Sequence, residues 1–214
     1  MSLNPGYKRR SVVPLKDERQ TASKVSQEMG NQQEKEVESY YFENVFELAT
    51  YGKLFAKDKR VNWLSGDNYM KLYQRGYQLF EQGRYQEALL IYNDCLKLNP
   101  IGISARFEMC ESLLRLGELN AAEGVLMELQ QFLLFDEKQM AKFYRRFGYI
   151  KIEEGDLRAA AACYQYSRSF ENHPSIQQEL AYIKAKGGPA IPLRNSEQIL
   201  REAGIPIITA ERLR

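Results

Sequence analysis

Gly83 is followed 34 residues later by Gly117, Ala88 by Ala122 and Leu98 by Phe132. A third copy brings Gly155, Ala160 and Phe170, delayed by four extra residues at positions 137–140. Nothing else in the chain constrains its fold as much. A unit of this length is too small to enclose a core, so each copy must bury its apolar face on its neighbours in a stacked array. Each copy reads as a helix, a turn carrying glycine, and a second helix. In the first, residues 69–81 form the leading helix and Gly83 ends it, because glycine tolerates the left-handed backbone of a helix stop. Residues 85–98 form the second helix, and Asn99-Pro100 closes it, since proline cannot continue a helix.

Around the repeats the charge separates. The net charge is only +2, yet residues 1–25 hold six basic and two acidic side chains, and residues 184–214 hold six and three. Two basic tails therefore flank an acidic body, and the overall balance argues against nucleic acid as a partner. Residues 1–33 offer few large apolar groups to offset the entropy of ordering and are expected to be disordered, with Lys8-Arg9-Arg10 as part of a solubilising tail. The three cysteines, Cys95, Cys110 and Cys163, show no zinc-ligand spacing and read as free thiols of a cytoplasmic protein. The sequence has no signal-peptide core and no run of the roughly 18 apolar residues that a transmembrane segment needs. His173 is the single histidine and lies in a predicted loop before Pro174. With no partner for it and no phosphate-binding glycine loop, no catalytic group, metal or cofactor is expected. Glu153, Glu154 and Asp156 around the third turn read as a solvated acidic patch.

The flanks carry their own periodicity. Val37, Tyr41, Val45 and Leu48 fall at steps of four, four and three, which predicts an amphipathic helix covering the first repeat. Trp63 and Leu64 follow in a connector and are expected to dock on the next helix. After the repeats, Ile176, Leu180 and Ile183 predict a solvating cap helix. Beyond it, Ser196 reads as the N-cap of a short helix closed by Gly204. The run Ile205-Pro206-Ile207-Ile208 is a segment that either folds back onto the body or binds a neighbour.

Position by position, the copies resemble the tetratricopeptide repeat family. That pattern asks for a bulky residue at 4, a small one at 8, Gly at 15, an aromatic at 17, Ala at 20, an aromatic at 24, a small residue at 27 and Pro at 32. Counted from Tyr69, the first copy supplies Leu72, Gly76, Gly83, Tyr85, Ala88, Tyr92, Cys95 and Pro100. From Ile103 the second supplies Arg106, Cys110, Gly117, Leu119, Ala122, Leu126, Leu129 and Leu134. From Ala141 the third supplies Tyr144, Gly148, Gly155, Leu157, Ala160, Tyr164, Ser167 and Asn172. The resemblance implies an all-α fold, a right-handed superhelical solenoid of three helix-turn-helix repeats with helical caps and flexible tails. It divides the chain into a basic tail (1–33), an N-terminal helical cap and connector (34–66), and repeats at 67–100, 101–136 and 137–174. A capping helix (175–187) and a C-terminal tail with a short helix (188–214) follow.

The resemblance further implies a groove lined by positions 2, 5, 9 and 12 of each leading helix. The expected wall is Met70, Tyr73, Tyr77 and Phe80, then Phe107 and Leu114, then Lys142, Arg145 and Tyr149 with Arg146 beside them. Ser104, Glu111 and Ile152 complete the pattern. The wall is aromatic at one end and basic at the other. It implies a protein or peptide partner, no small-molecule cofactor, and a non-catalytic role as an adaptor or scaffold subunit of a larger assembly. The alternative is a small chaperone that shields an apolar client segment, similar to those that hold translocator proteins for type III secretion. Repeat domains that grip the acidic tails of heat-shock chaperones use a five-residue clamp. Only Lys142 and Arg146 match it, while Tyr73, Tyr77 and Glu108 occupy the other places, so that partner is not expected. The sequence leaves self-association through the tails open.

Overall fold

A computed structural model describes residues 37–57 and 59–209, so the disorder expected for residues 1–33 lies outside the described residues. The chain runs through β1 (Val37–Tyr40), α1 (Val45–Leu54), β2 (Arg60–Trp63), α2 (Asp67–Glu81), α3 (Tyr85–Leu98), α4 (Ile103–Arg115) and α5 (Leu119–Leu129). It continues through α6 (Glu137–Glu153), α7 (Leu157–Ser167), α8 (Ser175–Ala185) and α9 (Leu193–Glu202).

Three antiparallel helical hairpins, α2/α3, α4/α5 and α6/α7, form the array. Their turns share one chemistry. Gly83, Gly117 and Gly155 have φ of 74°, 77° and 83°, a left-handed backbone that a side chain would strain. Within hairpins one and three the helices close on a glycine. A β-carbon at Gly76 would lie 2.7 Å from the buried ring of Tyr92, and one at Gly148 would lie 2.7 Å from Tyr164. Cys110 and Leu126, both fully buried, occupy the same places in the second hairpin. Ala88, Ala122 and Ala160, the recurring alanines of the second helices, are also fully buried.

The four-residue delay before the third copy has a simple structural form. The helix α5 ends in a 3-10 turn, Gln130–Phe132, that buries Phe132 and leads to the buried Leu133. The extra residues then form an additional first turn of α6, capped by Asp136, whose side chain accepts from Gln139 N at 3.2 Å.

The N-terminal segment differs from the expected helical cap. It is a strand, a helix and a strand, with β1 and β2 paired in parallel from Val37 opposite Arg60 to Tyr40 opposite Trp63. The helix starts only at Val45, because Asn44 caps it and accepts from Phe46 N (2.9 Å) and Glu47 N (3.1 Å). Trp63 and Leu64 are about half exposed rather than docked on α2. The indole of Trp63 instead donates to the carbonyl of Phe42 at 2.9 Å. The segment grips the junction between hairpins one and two: Tyr41 N donates to Leu98 O at 2.9 Å, and Thr50 Oγ1 to Phe132 O at 3.4 Å.

Glu47 is the centre of that grip and is completely buried. Its carboxylate accepts from Ile103 N (2.9 Å), Asn99 Nδ2 (2.7 Å) and Glu43 N (2.8 Å). Asn99, equally buried, accepts from Ile101 N and Gly102 N in turn. The N-terminus of α4, where Gly102 provides no side-chain cap, is thus capped by a residue from another helix. Burial is the main reason that the Glu47 pKa is raised, with Glu43 adding to it and the hydrogen bonds opposing.

The C-terminal end closes by a fold-back. The helix α9 lies against α7, and the buried Ile205 and Ile208 carry the following segment onto α6. There the hydroxyl of Tyr144 donates to Pro206 O at 2.9 Å and accepts from Ile208 N at 2.8 Å. The helix α9 begins three residues before the expected cap: Ser196 lies within its first turn, fully buried, donating to Leu193 O at 2.6 Å. The acidic turn of hairpin three is not simply solvated. Lys151, only 8% exposed, pairs with Glu154 (2.8 Å) and Glu123 (3.2 Å), and Asp156 caps α7.

Candidate functional site

The leading helices α2, α4 and α6 carry the residues expected to line a groove, and the structure sorts those residues by exposure. Met70 and Tyr77 on α2 and Tyr149 on α6 are open to solvent, at 41%, 49% and 39%. Tyr73, Phe80, Leu114, Lys142, Arg145 and Arg146 are half-buried. Phe107 is fully buried and belongs to the core rather than the wall, because Lys142 lies across it with its ammonium 4.3 Å from the ring centre. Phe80 turns toward Tyr85, 5.2 Å away, and helps close the first hairpin turn.

Two clefts open along this face. One, of about 270 Å³, is lined by Lys142, Arg145, Arg146 and Tyr149 of α6, with Tyr164, Ser175 and Glu179 opposite. It brings four of the expected residues together. Its charge is largely internal, however. Arg145 pairs with Glu171 at 3.0 Å, and Arg146 Nη1 lies 2.6 Å from Glu111 Oε2, an ion pair whose angles do not make a hydrogen bond. Arg115 also reaches Glu111, at 3.1 Å. Lys142 has no carboxylate partner among the described residues, and burial lowers its pKa, with Arg145 and Arg146 adding to the shift and Glu108 and Glu111 opposing it.

The second cleft, of about 250 Å³, is lined by Tyr41, Glu43, Tyr69, Met70, Tyr73 and Ser104. Its rings form a row: Tyr41 to Tyr69 at 4.6 Å, and Tyr69 to Tyr73 at 6.0 Å in a stacked arrangement. Glu43 ties two hairpins together here, accepting from Tyr69 Oη and from Ser104 Oγ, each at 2.6 Å. Burial raises the Tyr73 pKa, with Glu108 and Glu43 contributing; burial likewise raises that of Tyr41, with Glu43 next.

Tyr41 and Glu43 are the site residues that repeat spacing does not reveal, because they come from the N-terminal segment. The only sequence signal near them is Asn44, a capping residue that marks where α1 starts and so leaves residues 41–43 free to turn toward α2. The cysteines offer no reactivity to the face. All three are buried, and burial pushes the thiols of Cys95 and Cys110 up to about 12. Among the described residues, no group of three or more His, Cys, Asp or Glu side chains is placed to hold a metal ion, and no helix is long and apolar enough to cross a membrane.

Residues 79–145, from the end of α2 to the middle of α6, match the sequence model of the tetratricopeptide repeat. No curated protein matches the chain. The matched stretch holds the 34-residue steps from Gly83 to Gly117, Ala88 to Ala122 and Leu98 to Phe132, and the same hairpin geometry continues on either side of it. Residues 79–145 of the chain are tetratricopeptide-repeat sequence.

Proposed function

We propose that the chain is a non-catalytic binding subunit, an adaptor in a larger assembly, that takes a segment of a partner protein along the face of α2, α4 and α6. Tetratricopeptide repeats generally mediate protein–protein interaction. The observation that carries the reading is the exposure of Met70, Tyr77 and Tyr149 on leading helices, beside two open clefts. Large amphipathic side chains left in water on such a face suit an extended or helical segment with apolar anchors.

The test uses the full chain and peptides selected on it from a random-peptide phage library. Tyr77→Ala with Tyr149→Ala should weaken the selected peptides by about tenfold or more, as loss of hot-spot residues does. Lys8→Ala with Arg9→Ala, in the basic tail, should leave binding nearly unchanged. Equal effects from both pairs would overturn the groove reading.

The exposed Phe55, Trp63 and Leu64 favour a second reading, a chaperone that shields an apolar client segment. Co-expression separates the two. Rescue of an otherwise insoluble client, followed by release, marks the chaperone; a stable stoichiometric complex marks the adaptor.

A further inference from the structure

The cleft between the N-terminal segment and α2 has a composition that an apolar anchor does not require. It contains a carboxylate, Glu43, whose two oxygens each accept from a neutral hydroxyl, Tyr69 on α2 and Ser104 on α4. Among the described residues no ammonium or guanidinium pairs with it. Two cations of the other leading helices, Arg106 on α4 and Lys142 on α6, are engaged elsewhere. Arg106 donates to Ile101 O at 2.5 Å and lies over the Phe132 ring, while Lys142 lies over Phe107. The carboxylate therefore faces the cleft with spare acceptor capacity and without a countercharge.

The rings around it add to the same preference. Tyr41, Tyr69 and Tyr73 stand in a row, Tyr41 and Tyr73 half-buried and Tyr69 buried between the cleft and the core, and the exposed Met70 provides a polarisable edge. The Tyr41 ring is held from behind by Gly66, where a β-carbon would come within 2.8 Å of it. A row of tyrosines beside an uncompensated carboxylate attracts a cation by ring quadrupole and by charge.

We propose that this cleft seats a basic side chain, Arg or Lys, of the bound segment, against the tyrosine row and the carboxylate of Glu43. The proposal rests on the groove reading above and assigns the chemistry of one end of it. The N-terminal strand-helix-strand is then part of the recognition surface as well as a brace, and it supplies the charged group that selects the ligand.

Random-peptide selection on the full chain tests this with three baits: the unmodified protein, Met70→Lys and Glu43→Gln. Met70 is exposed, so Met70→Lys puts a positive charge at the cleft without burying anything and guards against a folding artefact in Glu43→Gln. Peptides selected on the unmodified chain should be enriched several-fold in Arg or Lys over the library, and both variants should lose that enrichment. Replacing the selected Arg with citrulline should cost about tenfold in affinity for the unmodified chain and little for Glu43→Gln. Apolar or acidic consensus peptides, or enrichment that survives both variants, would overturn the proposal while peptides still sensitive to Tyr77→Ala and Tyr149→Ala keep the groove reading. Failure to select any peptide, or peptides indifferent to those tyrosines, would overturn both.

Discussion

At the scale of single residues, the recurring glycine–tyrosine contact decides how close two helices come. Gly76→Ala would gain helix propensity of about 1 kcal/mol, but the added carbon meets the fully buried Tyr92 ring at 2.7 Å. Overpacking of this kind costs about 1–3 kcal/mol, so the net effect should be destabilising in a thermal melt. Gly124 in α5 is the control. Nothing lies within 4 Å of a β-carbon there, so Gly124→Ala should stabilise by about 0.5–1 kcal/mol. Gly76 and Tyr92 were legible in the sequence because the same pair returns as Gly148 and Tyr164 in the third copy. Arg106 was not. It occupies a slot for a bulky apolar group and fills it with a guanidinium packed 4.4 Å from the Phe132 ring centre and anchored on Ile101 O.

At the scale of elements, α1 acts through Glu47. Glu47→Ala would strand Ile103 N, Asn99 Nδ2 and Glu43 N without their acceptor, a loss on the order of 3 kcal/mol or more in denaturant unfolding. The pH dependence has a definite sign. The folded-state pKa of Glu47 lies above its ordinary value, so the neutral form favours the fold. Its contribution is complete below the unfolded-state pKa and is lost as pH rises through the folded one. Urea unfolding of Glu47→Gln, which stays neutral, should lack this decline when both chains are followed upward in pH from the ordinary carboxylate pKa. The strands flanking α1 were hidden because Val37, Tyr41, Val45 and Leu48 satisfy helical spacing by coincidence. What makes Val37–Tyr40 a strand is its pairing with Arg60–Trp63, a non-local contact that no local periodicity encodes. The same blindness concealed Tyr41 and Glu43 from any reading of the binding face, whereas Met70, Tyr77 and Tyr149 followed from the repeat positions alone.

At the scale of the whole chain, both ends of the array are closed by segments that return to it. Tyr144→Phe should release the C-terminal closure by removing the hydroxyl that joins Pro206 O and Ile208 N. Hydrogen exchange should then rise at residues 205–208 while α2 and α3 keep their protection. The N-terminal closure has a further consequence. A stack of hairpins alone makes mostly short-range contacts and can fold quickly from any point. Here the bonds from Glu47 to Asn99, Glu47 to Ile103, Glu43 to Ser104 and Thr50 to Phe132 span 52, 56, 61 and 82 residues. Such loops must close before their contacts can form, which raises the contact order and slows the last stage of folding. The carboxylate of Glu43 takes its place only against Tyr69 and Ser104, so in a nascent chain the proposed cleft would not be complete until Ser104 had left the ribosome.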